Sequence, residues 1–358
     1  MRRPILFATL AAVLVATPIL SAAMAADTPA AAAAEAAGPD HAALTVRALD
    51  GYIRPEFDRF VAATRALADK AETDQSPEAL LPLYDAAYDA WMRIWFFRFG
   101  PLEEEGRRFR LEFWPERSGI AYRAIGALVK AKNPIVDDPE AFAGASAGAQ
   151  NLVSMERLLR PREAVPAAGT PAADYRNRLI RAVARNLARM AVSAREGWEG
   201  PEGAAHVLTT AGDDENQIYL SADETTFAFF NAFHGALQEL EELRLAAITA
   251  DQTGGTPRAA HERAGASLEN IRAGIGGLID FERVVFAPAA SDQVAQVDMA
   301  AALEKAAAAA DAALARAPDD AEAMKALKAA LAAARRLAVA ELAPALGVRV
   351  GFNSFDGD

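Results

Sequence analysis

The sequence predicts an all-α protein: two helical-bundle domains related by a duplication, with a cleft between them. Three observations carry this expectation. From residue 41 onward, apolar residues recur almost throughout with the spacing of an amphipathic helix, about 100° per residue. Alternating β-branched runs, the signature of strands, are scarce. The two halves also share a plan, each with about four helical stretches and the most aromatic ones early, and bundles are the default packing for such helices. No fixed short period supports a solenoid.

The chain opens MRRPILFATLAAVLVATPILSAAMA, with Arg2 and Arg3, an apolar run, then small residues at Ala23 and Ala25. This is the layout of a cleavable signal peptide over 1–25. Pro18 and the small residues after Leu20 shorten the apolar run below the roughly 20 residues that a membrane span needs. Residues 26–40, ADTPAAAAAEAAGPD, are low in complexity and read as a disordered leader. The first domain is expected over 41–196 and the second over 197–358.

Val46, Leu49, Ile53, Phe57, Phe60, Val61 and Leu67 predict one long helix. Pro77 opens another through Leu83, Tyr88, Trp91, Trp95 and Phe99, which Gly100 and Pro101 end. After the charged segment LEEEGRRFRLEFWPERSG comes a short helix over Ile120 to Lys130. Asp138 as cap, with Pro139 behind it, predicts the start of the helix that carries Glu156. Pro161, Pro166 and Pro171 mark a break before a helix through Tyr175, Leu179, Val183, Leu187 and Met190. The Gly- and Asp-rich stretch 197–216 reads as a linker. Four helical stretches follow, over about 222–250, 259–282, 293–316 and 320–343. The ending LGVRVGFNSFDGD is the one stretch with strand-like alternation.

Composition narrows the function. The 358 residues are 52% hydrophobic and 24% charged, as in a folded protein, and the net charge of -12 argues against nucleic acid as a partner. There is no cysteine, which excludes disulfides, thiolate metal sites, a cysteine nucleophile and a lipid-modified cysteine. Together with the signal peptide this places the mature protein in the periplasm, not lipid-anchored.

Several motifs fail on context. GASAG at 144–148 matches the hydrolase pattern GxSxG, but that chemistry needs a strand-to-helix turn, and Ser146 is expected inside a helix. GIGG at 274–277 has no strand before it, so it is no phosphate loop. HERAG at 261–265 lacks the second histidine of HExxH. The remaining histidines are His41, His206 and His234. His234 shares a helix side with Glu241 and reads first as a hydrogen-bonded residue at the edge of the core, second as a metal ligand.

The stretch NLVSMERLL at 151–159 poses the main question, because Glu156 falls near the middle of an apolar face. A lone buried carboxylate costs several kcal/mol or more, so something must face it. Arg98 and Arg117 are partners of suitable chemistry, since guanidinium forks pair well with carboxylates.

Taken together, these pieces resemble the imelysin family, also called the M75 peptidases. NLVSMERLL aligns with the family's GxHxxE region, WMRIWFFRFGP with its early Trp and FGP segment, and FWPERSG with the FWP stretch of its periplasmic, lipoprotein-like branch. ERAGASLENI at 262–271 is similar to that branch's WRSGRSLxNI, and the ending is close to GFNxxDGD. The resemblance implies two all-α bundle-like domains with the motif facing the groove between them, a periplasmic or outer-surface location, a link to iron uptake and, in the founding type, metallopeptidase activity. Glu156 stands at the motif's glutamate, but Asn151 stands at its glycine and Val153 at its histidine. Valine has no lone pair to give a metal.

The expectation is therefore a non-catalytic, imelysin-like periplasmic binding protein linked to iron or metal uptake. Its cleft would be lined by Glu156, Arg117, Arg263, Ser267 and Asp356, and would take a small anionic or chelate ligand or a divalent or ferric metal ion. Outer-membrane or periplasmic uptake components are the expected partners. The alternative is a metallopeptidase with altered ligands, Glu156, His234 and Glu241.

Overall fold

A computed structural model describes residues 38–116, 119–162, 164–250, 258–290, 298–316 and 320–349. The expected signal peptide, most of the leader, Arg117, Asp356 and all but the first four residues of the strand-like ending lie outside them. The described residues belong to one compact unit. No strand occurs among the described residues, as the periodicity predicts.

The first long helix is α1 (His41–Ala48), a π-helical turn (Leu49–Ile53) and α2 (Arg54–Thr73) in unbroken succession. After it come α3 (Pro77–Trp91), α4 (Arg107–Glu112), α5 (Ile120–Ala131), α6 (Pro139–Ala143), α7 (Leu152–Leu159) and α8 (Pro171–Glu196). The stretch read as a linker contains a short helix, α9 (Ala204–Thr209). The second half comprises α10 (Ala222–Gln238), α11 (Leu245–Thr249), α12 (Ser267–Phe281), α13 (Ala287–Ala290), α14 (Met299–Leu314), α15 (Ala321–Leu337) and α16 (Ala343–Ala345). π-helical turns join α10 to α11 (Glu239–Arg244), α12 to α13 (Glu282–Phe286) and α15 to α16 (Ala338–Leu342).

Two expected helices begin elsewhere. Asp138 does cap a helix, accepting the N–H groups of Glu140 and Ala141, but that helix, α6, ends at Ala143. The helix bearing Glu156 starts afresh at Leu152, because Asn151 acts as a second cap and accepts the N–H of Ser154 at 2.8 Å. Ser146 consequently lies outside any helix, in extended backbone ahead of a single turn. Likewise the stretch expected from 259 begins its long helix only at Ser267, behind a separate turn at Glu262–Ala264.

An aromatic core joins residues distant in sequence. Tyr52 meets Phe281 edge-on at 5.1 Å, and Phe96 and Phe97 pack against both. The Tyr52 hydroxyl donates to the carbonyl oxygens of Arg93 at 2.8 Å and Gly277 at 2.9 Å. The GIGG stretch finds its reason here. A Cβ on Gly277 would lie 3.0 Å from that hydroxyl and 3.1 Å from Arg93 Cα, so the glycine admits close helix approach.

Beside this core lies a buried charge cluster. Arg244 donates to both oxygens of Glu112 at 2.8 Å and to Glu239 at 3.0 Å, and its guanidinium is held between the rings of Trp95 and Trp114 at 4.6 and 4.5 Å. The π-helical turn makes the Glu239–Arg244 contact: its N–H groups reach back five residues, so positions five apart share a side. Burial alone would push the Glu112 carboxyl up, but the Arg244 guanidinium and hydrogen bonds from Arg244 and Tyr88 outweigh it and hold it below the usual range.

Removing one member of such a cluster leaves uncompensated buried charge, at a cost of about 3–5 kcal/mol. Arg244→Ala should lose that much unfolding free energy in urea titration. Arg283→Ala, which breaks the exposed Arg283–Glu304 pair, should lose about 0–1 kcal/mol. Equal losses would show that the cluster carries no special weight.

Candidate functional site

Helix α7 is buried on nearly every side: Leu152, Val153, Ser154, Met155, Leu158 and Leu159 are all enclosed, and Glu156 is 4% exposed. Its start is fixed by polar contacts, since besides the Asn151 cap the Ser154 hydroxyl donates to Gly148 O at 2.7 Å. The apolar wheel therefore located the carboxylate correctly. Among the described residues its companions are a backbone turn, an imidazole and the expected Arg263, but not Arg98.

Glu156 Oε1 accepts the backbone N–H of Ala264 at 3.0 Å, and the N–H of Arg263 also binds the carboxylate. Both belong to the Glu262–Ala264 turn, which is bounded by His261 at φ 59° and Gly265 at φ 70°. A turn between left-handed residues can aim successive N–H groups at one anion. Arg98, by contrast, pairs with Glu239 at 2.5 Å. Burial pushes the Glu156 carboxyl above its ordinary range, while His261, the two N–H groups and the Arg263 guanidinium pull it down without overcoming burial.

His261 is the residue that sequence reasoning missed. It is 2% exposed and stacks on Tyr88 with ring centroids 4.6 Å apart and planes 8° apart, while Tyr84 meets it edge-on at 5.1 Å. Its Nδ1 lies 3.2 Å from Asn270 Oδ1, and its Nε2 lies 3.2 Å from Asp85 Oδ1, without hydrogen-bond alignment. Tyr88 in turn donates to Glu112 at 2.7 Å, so the imidazole rests on the Arg244 cluster. The hint in the sequence was the likeness of ERAGASLENI, which begins one residue after His261, to WRSGRSLxNI.

Glu156 and His261 line one pocket of about 100 Å³ with Val153, Trp114, Arg157 and Arg263. Trp114 is fixed by Arg244 beneath it and by donation to Arg258 O at 2.9 Å. Arginines and carboxylates alternate around the rim: Arg157 pairs with Glu116 at 2.7 Å, and Arg162 and Arg258 each pair with Glu262 at 3.1 Å. Arg263 donates to Arg160 O at 3.0 Å. The arrangement can hold a small polar or charged ligand between one buried carboxylate, one imidazole and several guanidiniums.

Of the expected site residues, the structure brings together Glu156 and Arg263. Ser267 opens α12, two residues past the turn's closing glycine, and does not line the pocket. Arg117 and Asp356 lie outside the described residues. The ligand set Glu156, His234 and Glu241 does not come together. His234 stacks on Phe230 with centroids 6.0 Å apart, and Glu241 pairs with Arg335 at 3.0 Å. Among the described residues no three His, Cys, Asp or Glu side chains converge as a metal-holding group.

A folded-state pKa above the unfolded one means that protonation of Glu156 favours the fold. This contribution is fully present below the ordinary glutamate value and is lost as pH rises through the folded value. Glu156→Gln should therefore gain stability relative to wild type as pH rises above the ordinary glutamate value of about 4.3, as read from urea unfolding at each pH. A gap that stays constant or reverses would contradict the burial effect.

The fold agrees with comparisons to known proteins. The family model for Imelysin, Peptidase_M75, matches residues 53–346. A crystal structure of an imelysin-like protein from Psychrobacter arcticum 273-4 is similar, with TM-score 0.69 and 16% identity over 88% of this chain and 100% of that one. Another, described as an iron-regulated protein A precursor from Parabacteroides distasonis ATCC 8503, gives TM-score 0.67 and 14% identity over 85% of this chain and 95% of that one. Curated proteins give no significant match. On the family match, which spans most of its length, this chain belongs to the imelysin family.

Proposed function

We propose that this is an exported, non-catalytic imelysin-like binding protein that serves iron uptake and holds iron in chelated form at the Glu156 pocket. The observation that carries the reading is the convergence of a buried carboxylate and a buried imidazole on one cavity, Glu156 from α7 and His261 from the turn before α12. These two groups fall short of a full set of metal donors. A cargo metal that brings its own chelating oxygens needs few protein ligands, and the rim guanidiniums suit the negative charge of those oxygens. The iron-regulated description of the Parabacteroides relative supports the link to iron.

Val153 argues against peptidase chemistry. At the motif's histidine position it presents methyl groups to the pocket, so a metal-bound water there would lose an imidazole ligand. The layout of the first 25 residues supports export to the periplasm, where a soluble carrier would meet uptake components. Among the described residues no helix is long and apolar enough to cross a membrane.

Metal analysis of protein purified from its own periplasm, followed by titration with ferric nitrilotriacetate, tests the reading. Wild type should carry or take up iron, and Glu156→Ala and His261→Ala should each weaken uptake by about tenfold or more. Equal iron in all three proteins would overturn the site. Chelator-sensitive cleavage of an unfolded protein would overturn the non-catalytic reading.

A further inference from the structure

We propose that a second pocket, between α4, α6 and α8, binds a small oxyanion, a carboxylate or phosphate group, through Arg110 and Arg189. This cavity of about 300 Å³ is lined by Glu105, Arg107, Arg110, Gly144, Arg189 and Ser193, among others. Three guanidiniums thus face one carboxylate in a protein whose net charge is -12.

How these arginines are held sets them apart from their neighbours. Arg185, one turn before Arg189, pairs with Glu72, and Arg107 has Glu104 at 3.4 Å. No carboxylate pairs with Arg110 or Arg189 among the described residues. A bridge of two buried neutral amides holds both instead: Arg110 Nη2 donates to Gln150 Oε1 at 3.0 Å, and Arg189 Nη2 donates to Asn186 Oδ1 at 2.8 Å. Asn186 Nδ2 closes the bridge by donating to Gln150 Oε1 at 2.9 Å. Gln150 is fully buried and Asn186 is 2% exposed, so the bridge is rigid.

Neutral amides orient guanidiniums without cancelling their charge. Two like charges aimed into one pocket repel each other, and a shared oxyanion converts that repulsion into two charge-assisted pairs. The contacts named use Nη2 of Arg110, which also donates to Ala143 O, and Nε and Nη2 of Arg189. With five N–H donors on each guanidinium, Nη1 of both stays available for a ligand. The Ser193 hydroxyl adds a neutral donor on the pocket wall.

Calorimetric titration of the full mature chain with citrate and, separately, with inorganic phosphate tests this site. At least one anion should bind, more weakly as salt rises, and Arg189→Gln should weaken binding by about tenfold or more. Arg189 is exposed, so this variant should fold, and an unchanged melting temperature will verify that. Arg283→Ala, which removes an exposed guanidinium outside both pockets, should leave this binding unchanged, so a loss confined to Arg189→Gln assigns the anion to this pocket. Tighter citrate binding assigns the ligand as a carboxylate, and tighter phosphate binding assigns it as a phosphate. Failure of both anions to bind wild type below about 10 mM, or equal binding by Arg189→Gln, would overturn the proposal.

Discussion

The fold around the site depends on one buried guanidinium. Arg244 joins Glu112 of α4 to Glu239 of its own π-helical turn, and it is clasped by Trp95 and Trp114. Such a cluster is tolerable only when every member is satisfied, because each unpaired charge would cost several kcal/mol. That demand fixes several elements at once. Trp114 becomes a wall of the Glu156 pocket, and Glu112 anchors the Tyr88 hydroxyl, whose ring carries the imidazole of His261. The pocket thus inherits its rigidity from charges that do not themselves line it.

Glu156 shows the other way to enclose a carboxylate. Among the described residues it is held by backbone N–H groups, a neighbouring imidazole and the field of the Arg263 guanidinium. The difference matters for binding. A bidentate arginine would neutralise the carboxylate and occupy both oxygens, whereas the turn engages one oxygen strongly and keeps the group facing a cavity. Val153 stands at the motif's histidine position on α7, and His261, on a segment with no spacing relation to the motif, presents an imidazole to the same pocket.

Much of this was legible in the sequence, and the rest was hidden for physical reasons. Helical spacing gave the all-α class and the burial of Glu156, since both follow from local periodicity. The family resemblance rested on pieces scattered along the chain, and the family match bears it out. The break between α6 and α7 was missed because Asp138 is a genuine cap, and nothing local announces that Asn151 will act as a second one. The π-helical turns were invisible because one extra residue per turn hardly disturbs an apolar pattern, yet one of them aligns Glu239 with Arg244. The contact of Glu156 with residues 263–264 spans more than one hundred positions and uses main-chain atoms, which no side-chain pattern encodes.

The most direct test of this account is an NMR titration of the mature chain that follows the Glu156 carboxyl carbon and the Ala264 amide proton together. An enclosed carboxylate bonded to that amide should titrate above the ordinary glutamate value of about 4.3, and the amide should move with the same midpoint. A carboxyl that titrates like a solvated glutamate, with an Ala264 amide indifferent to it, would contradict the account.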